Sequence, residues 1–155
     1  MELQRLGNID TVLAFAIEKE REAQATYLAY AKATERTGFR KLLLSMVGQE
    51  REHEKRLLAL QSGGDLDVEF PGGKSLDIRI SDYTVDVEFS PEMSYQDFLI
   101  LVMKREQKAA ELYEWLTSQG QNQEVRSIFE RLTEEERKHK AWAQDRYDLE
   151  ILSEN

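Results

Sequence analysis

The chain has 155 residues, of which 41% are hydrophobic and 33% are charged, and its formal net charge is −9. This length supports one domain with a buried core, and the negative charge argues against nucleic acid or an anionic membrane surface as a partner. The absence of cysteine excludes disulfides, thiolate metal sites and thiol nucleophiles. The sequence shows no signal-peptide pattern and no apolar run of about 18 residues, so we expect a cytoplasmic protein that does not enter a membrane.

Four segments with helical periodicity follow one another along the chain, and they form two pairs. The predicted helices cover residues of about 10–37, 39–61, 94–119 and 123–152. Gly38 is interpreted as the stop of the first helix. The short turn within each pair makes its two helices antiparallel, and the connection at about 62–93 is long enough to run the length of a bundle. We therefore predict an all-α four-helix bundle, a single domain made of two helical hairpins joined by a long crossover connection.

The long connection contains two stretches of alternating hydrophobicity, "LDIRI" and "TVDVEF". Alternation with a period of two indicates extended backbone, and the two stretches are compatible with a short hairpin. Four aliphatic side chains in them need burial, namely Ile78, Ile80, Val85 and Val87. We expect the connection to cover the bundle rather than to dock a partner.

The two helical hairpins look like copies of one unit. "EREAQATY" (20–27) aligns with "EQKAAELY" (106–113), and "EREH" (50–53) aligns with "ERKH" (136–139), all with the same offset of 86 residues. The shared offset of Glu, His, Ala and Tyr positions predicts an internal repeat.

Inward-facing positions at 4,3 spacing are largely apolar in all four predicted helices, except at a few matching levels. Six polar residues occupy those levels: Glu20, Glu50, His53, Glu106, Glu136 and His139. The first two glutamates lie equally far from residue 35, and the other two equally far from residue 121, both near predicted turns. All four carboxylates can therefore converge at one depth.

Such buried carboxylates must be paired, protonated or metal-bound, because an isolated one costs several kcal/mol. No inward-facing Lys or Arg lies at these levels, and two divalent ions would balance four carboxylates. Carboxylates with imidazoles suit iron or manganese, with zinc as a further occupant, and this set is the one found in di-iron carboxylate bundles. We therefore predict a two-metal site rather than surface ion pairs, whereas Glu134, Glu135, Lys138 and Lys140 in "EEERKHK" are predicted to be solvated.

On these motifs the chain resembles the ferritin-like di-iron proteins, and among them the rubrerythrins. The resemblance covers the four helices and implies a ferritin-like bundle with two iron ions. It implies that Glu50 and Glu136 bridge the metals, and that terminal ligands are Glu20 with His53 and Glu106 with His139. The four glutamates would act in catalysis by shifting their coordination as the charge on iron rises.

Tyr27 and Tyr113 lie two turns after Glu20 and Glu106 in the repeat. One interpretation places them in the bundle core with satisfied hydroxyls. The other is that each hydroxyl forms a hydrogen bond to a ligand carboxylate and orients it.

Two departures from rubrerythrins bear on the function. Rubrerythrins typically carry a rubredoxin module, but this chain has no cysteine to build one, so electrons must come from a separate donor, rubredoxin-like or other. The further glutamate of the third rubrerythrin helix is replaced here by Ala109, which brings the site closer to the bacterioferritin pattern and weakens the peroxide-reductase assignment.

The resemblance thus implies a non-haem di-iron oxidoreductase that reduces hydrogen peroxide or dioxygen, expected as a homodimer because the long connection would obstruct cage packing. One alternative is a ferroxidase or iron-handling protein similar to bacterioferritin, in which iron is the substrate. A further alternative is a structural or partner-binding bundle that contains metal.

Overall fold

The computed structural model describes residues 5–6, 9–62, 78–119 and 122–154, and four long helices dominate it. The helices are α1 (Ile9–Ala33), α2 (Thr37–Gln61), α3 (Tyr95–Gln119) and α4 (Gln123–Glu150). The described part of the chain contains no helix that is long and apolar enough to cross a membrane. The prediction of an all-α four-helix bundle is confirmed.

Two clusters of buried side chains fill the two ends of the bundle. One cluster joins the N-terminal half of α1 and the C-terminal half of α3 to the C-terminal end of α2 and the start of α4. The other joins the opposite halves of the same helices. Each helix is therefore antiparallel to its partner in the hairpin, and α1 is also antiparallel to α3. The chain leaves α2 at one end of the bundle and enters α3 at the other, as the predicted crossover requires.

The turn between α1 and α2 differs from the prediction. The helix was expected to continue to Thr37 and to stop at Gly38, but α1 ends at Ala33 and α2 begins at Thr37, so Gly38 lies inside a helix. Arg40 explains the earlier end, because its guanidinium donates to the carbonyl oxygens of Ala31, at 2.9 Å, and Thr34. A side chain from α2 thus satisfies carbonyl groups that a longer helix would have paired internally.

Side chains just before α3 and α4 define where these helices begin. The Ser94 hydroxyl accepts a hydrogen bond from the backbone N–H of Asp97 at 3.1 Å. The Asn122 side chain accepts from the backbone N–H groups of Glu124 and Val125. Serine and asparagine are both preferred N-cap residues, and here they define where the two helices of the second hairpin begin.

The described part of the connection, residues 78–93, lies against α1 and α3. A two-residue strand β2 (Ile78–Arg79) pairs antiparallel with β1 (Arg5–Leu6), ahead of α1, and a 3-10 turn follows at Ile80–Tyr83. The predicted hairpin with "TVDVEF" is wrong, since residues 84–89 form no strand. Val85 and Val87 nevertheless pack against the core as expected. The side chains of residues 78 and 80 lie outside the described residues.

Candidate metal centre

The six polar residues predicted for the site lie between the two apolar clusters, near the middle of the bundle. Each is at most 2% exposed: Glu20, Glu50, His53, Glu106, Glu136 and His139. The level is set by the hairpin turns, because residues 34–36 separate α1 from α2 and residues 120–122 separate α3 from α4. The turns centre on residues 35 and 121, so the four glutamates lie at the same depth.

The six side chains form two overlapping groups. One group contains Glu20 and His53, the other contains Glu106 and His139, and each is completed by Glu50 and Glu136. Within each group one ligand atom per residue lies within 4.8 Å of the others. The arrangement offers two adjacent metal positions that share two carboxylates.

Both imidazoles direct the same ring nitrogen towards the carboxylates. His53 Nδ1 lies 2.8 Å from Glu136 Oε1 and 3.3 Å from Glu50 Oε1. His139 Nδ1 lies 3.1 Å from Glu50 Oε1 and 3.4 Å from Glu106 Oε2. The ring centroids are 6.2 Å apart with an interplanar angle of 20°. The two rings therefore flank the carboxylates in nearly parallel planes.

Every one of the six residues has one buried polar atom that forms no hydrogen bond of acceptable geometry within the described residues, even where another of these atoms lies as close as 2.8 Å. These atoms are Glu20 Oε2, Glu50 Oε1, His53 Nδ1, Glu106 Oε2, Glu136 Oε1 and His139 Nδ1. Buried polar atoms normally have partners, so six unpaired ones at a single place require an explanation. Two divalent cations fit this donor set, because carboxylate oxygens and imidazole nitrogens are their usual ligands.

Two tyrosine hydroxyls donate across the α1–α3 interface to the two glutamates that each belong to one group only. Tyr27 on α1 donates to Glu106 on α3 at 2.7 Å, and Tyr113 on α3 donates to Glu20 on α1. Burial and the nearby carboxylates raise the pKa of both phenols well above 10. Both tyrosines therefore stay protonated, and each can hold one carboxylate in a fixed orientation.

Without cations, protons balance the charge of the centre. Burial alone would lower the pKa of each imidazole, but facing carboxylates raise it to about 9 for His53 and about 10 for His139. Burial and neighbouring carboxylates raise the pKa of Glu20 and Glu136. Burial opposes ionisation of Glu50 too, but contacts with the two imidazoles outweigh it and lower its pKa to about 2. Metal ions entering the site must displace these protons.

The outer nitrogen of each imidazole contacts a residue that the sequence analysis did not select. His53 Nε2 contacts Glu135 Oε2, and His139 Nε2 lies 2.8 Å from Gln49 Oε1. The expectation that Glu135 is solvated is wrong, because its side chain is 24% exposed and directed towards His53. Glu135 and Gln49 immediately precede the two Glu-x-x-His motifs, and that shared position was the signal available in the sequence.

A cavity of about 110 Å³ leads to the carboxylates between α1 and α3. Tyr83, Thr84 and Val85 of the connection form part of its wall. Two small residues at repeat-related positions, Ala23 and Ala109, also line it. A longer side chain at either alanine would occupy space beside the carboxylates. Because both side chains are small, the space stays open and gives small molecules a route to the centre.

The fold and the site together define a four-helix bundle with a buried carboxylate–histidine centre for two metal ions. Residues 11–147 match the family model of rubrerythrin. The chain belongs to the rubrerythrin family, and the resemblance inferred from the sequence motifs is confirmed. Family and site together support a di-iron protein.

Solved structures that are similar to this chain include the following two. A protein from Thermotoga maritima, described as a ferritin-like diiron-carboxylate protein, aligns with a TM-score of 0.77 and 16% identity over 92% of this chain and 96% of its own. A hypothetical protein from Pyrococcus furiosus aligns with a TM-score of 0.69 and 24% identity over 90% of this chain and 88% of its own. At these identities the likeness shows the fold alone. A search of curated proteins found no significant match.

Proposed function

We propose that the protein is a non-haem di-iron oxidoreductase that reduces hydrogen peroxide, or dioxygen, at a carboxylate-bridged pair of iron ions. The observation that carries the proposal is the set of six buried ligand residues, each with an unpartnered atom in one centre beside a cavity. When bound, the iron ions supply two electrons and a binding place for a small oxidant. Reduction of one hydrogen peroxide to two waters consumes those two electrons and two protons.

The side chains of this centre have distinct parts in the proposed reaction. Glu50 and Glu136 belong to both groups and are suited to hold both ions. Glu20 and Glu106 each keep one oxygen on a tyrosine hydroxyl, which leaves the other oxygen for a metal. The four carboxylates would hold the ions and balance their charge, and the tyrosine hydroxyls would limit how far Glu20 and Glu106 move. The surrounding apolar clusters exclude bulk water.

The cavity suits a small oxidant as the species that enters. Apart from the ligand glutamates, the charged side chains in its wall are Lys19, Glu22, Arg105 and Lys108. Two of the cations are paired with carboxylates, Lys19 with Glu22 at 3.1 Å and Lys108 with Glu111 at 3.6 Å. The charges around the entrance are therefore largely balanced, which is compatible with entry of a neutral molecule such as hydrogen peroxide or dioxygen.

Electrons for repeated turnover are proposed to come from a separate donor protein, rubredoxin-like or other, because the chain has no cysteine for an iron–sulfur module. We further propose a homodimer rather than a cage. Residues 78–93 of the connection add bulk against α1 and α3, and we propose the dimer because such bulk would obstruct packing into a cage.

Metal analysis followed by stopped-flow oxidation of the ferrous protein tests the proposal. We expect two iron ions per chain, and faster oxidation by hydrogen peroxide than by dioxygen. Glu50→Ala combined with Glu136→Ala removes both shared ligands and should abolish iron binding. Continued turnover of added ferrous iron would establish the iron-handling alternative instead. Unchanged metal content and stability in the double variant would overturn the metal centre itself.

A further inference from the structure

The two halves of the centre are related by the internal repeat, but the side chains that contact the outer nitrogens of the two imidazoles differ. From this difference we infer that the metal positions are chemically unequal, and that the half containing His53 binds the first divalent ion. The inference rests on the proposed di-metal centre and adds an order of filling that the six ligands alone do not specify.

The residues that contact the outer nitrogens of the two imidazoles occupy one pair of repeat-related positions. Gln49 and Glu135 are 86 residues apart, the same offset as His53 and His139. The contacts cross between the helices: Glu135 on α4 faces His53 on α2, and Gln49 on α2 faces His139 on α4. One imidazole therefore has a carboxylate behind it and the other has a neutral amide.

The residues that contact Glu135 and Gln49 from the outside also differ between the two halves. Arg131 Nε lies 3.3 Å from Glu135 Oε1 and holds the carboxylate in place. At the equivalent position Ser45 accepts a weak hydrogen bond of 3.4 Å from Gln49. The Arg131 side chain is 64% exposed, so solvent screens its charge. The arginine thus orients Glu135 without cancelling the effect of the carboxylate on His53.

The residues that directly follow the two histidines also differ in charge. Glu54 follows His53, and Lys140 follows His139. Glu54 accepts hydrogen bonds from Arg21 and Gln24. Its counterpart Lys140 donates to Gln107 at 2.8 Å. Arg21 balances the Glu54 carboxylate in an ion pair of 2.7 Å, whereas Lys140 has a neutral amide as its partner. The positive charge of Lys140 therefore makes the His139 half the less attractive one for a divalent cation.

The physical consequence follows from how an imidazole binds metal. A carboxylate that accepts the outer N–H makes the inner nitrogen a stronger base and fixes the ring orientation. Loss of such a partner typically lowers metal affinity about 10- to 100-fold. An amide oxygen accepts the same hydrogen bond but carries no charge. We therefore expect affinities for the two ions that differ by about tenfold or more, with the His53 half filled first.

Zinc titration followed by nitrogen-15 NMR of the imidazoles tests the order directly, because the chain has only two histidines and both lie in the centre. In the unmodified protein the His53 signals should change with the first equivalent of zinc and the His139 signals with the second. Zinc is redox-inert, so the reading does not depend on enzymatic activity.

Exchange of the two outer residues provides the decisive variants. Glu135→Gln should weaken the first binding step by about tenfold or more, and Gln49→Glu should strengthen the second. The combination of both changes should reverse the order, so that His139 responds first. Glu134→Gln removes the same charge from the neighbouring exposed position and should leave the order intact.

Parallel changes of both histidine signals in the unmodified protein would overturn the inference, as would an unreversed order in the exchanged protein. Either result leaves the proposed di-metal centre standing, because zinc still binds. Failure of zinc to bind would overturn the centre and the inference together.

Discussion

At the scale of single residues, the buried tyrosines show how the centre is held in place. Each hydroxyl donates to a glutamate of the other hairpin, so Tyr27 couples α1 to Glu106, and Tyr113 couples α3 to Glu20. The protonated phenols supply what a carboxylate in an apolar environment needs, which is a donor for the oxygen that does not bind metal. The two hairpins are therefore joined at the site by hydrogen bonds as well as by apolar packing.

Replacement of Tyr27 by Phe tests this support. The change leaves Glu106 Oε1 without its donor, so we expect zinc affinity to fall about 10- to 100-fold and the zinc-loaded protein to lose about 1–3 kcal/mol of stability. Calorimetric titration and urea unfolding measure the two effects. Tyr147→Phe is the matched control, because that hydroxyl contacts Gln96 at an exposed end of the bundle. Equal effects of the two changes would contradict the supporting role.

Residue-scale prediction from sequence succeeded where spacing and burial coincide and failed where only geometry decides. The shared offset and the inward spacing were enough to bring His53 and His139 to one place. They could not show that Glu135 turns inward, because it lies in a run of charges and its neighbour Glu134 is exposed. The difference depends on the rotation of α4 against α2, which a single-helix pattern does not contain.

At the scale of elements, the α1–α2 turn shows why helix ends are harder to predict than helix faces. Glycine is a common helix stop, yet Gly38 is helical, and a β-carbon there would lie 3.7 Å from the Arg146 guanidinium in ordinary contact. The actual end of α1 depends on Arg40, a long-range partner for its terminal carbonyls. The displaced end leaves the inward positions unchanged, so the convergence of the six polar residues could be predicted despite the error.

Replacement of Arg40 by Ala tests this account of the turn. Loss of the hydrogen bonds to the carbonyls of Ala31 and Thr34 should lower the free energy of unfolding by about 1–3 kcal/mol. Urea unfolding of the metal-free protein measures it. Lys41→Ala, at the exposed neighbouring position, is the control and should change stability by less than about 0.5 kcal/mol. Zinc stoichiometry should stay at two in both variants, since neither residue lies at the centre.

The cavity between α1 and α3 leads to a second prediction at the scale of elements. Ala109→Leu fills part of the cavity beside the carboxylates and should slow the oxidation of the ferrous protein by hydrogen peroxide several-fold, with iron content unchanged. Ala59→Leu makes the same change on an exposed face of α2 and is the control. An unaltered oxidation rate in Ala109→Leu would show that the oxidant reaches the centre by another route.

At the scale of the whole molecule, the fold places a charged layer between two apolar ones. The repeat gives both hairpins the same sequence of apolar, polar and apolar levels, and the crossover brings those levels into register. This layered arrangement could be predicted because it follows from the 4,3 spacing of the inward positions and from the repeat offset of 86 residues. The path of the connection was not, since its strand pairs with residues ahead of α1 rather than with the adjacent extended stretch.

The charged layer makes the stability of the metal-free protein depend on pH. The pKa values of His53 and His139 are raised to about 9 and about 10, whereas imidazoles in the unfolded chain titrate near 6.5. Above about pH 6.5 the folded state therefore binds more protons than the unfolded state, so the free energy of unfolding falls as pH rises towards about 10. The raised pKa values of Glu20 and Glu136 act in the same direction above about pH 4.5.

Urea unfolding in the presence of a chelator, at pH values from about 6 to about 9.5, should show this decline. The zinc-loaded protein is the control. Metal ions take the place of the protons, and their affinity rises as competing protons become scarce, so the loaded protein should not lose stability over the same range. The stability gained from zinc should therefore grow with pH. A metal-free protein that becomes more stable between these pH values would contradict the proton-balanced centre.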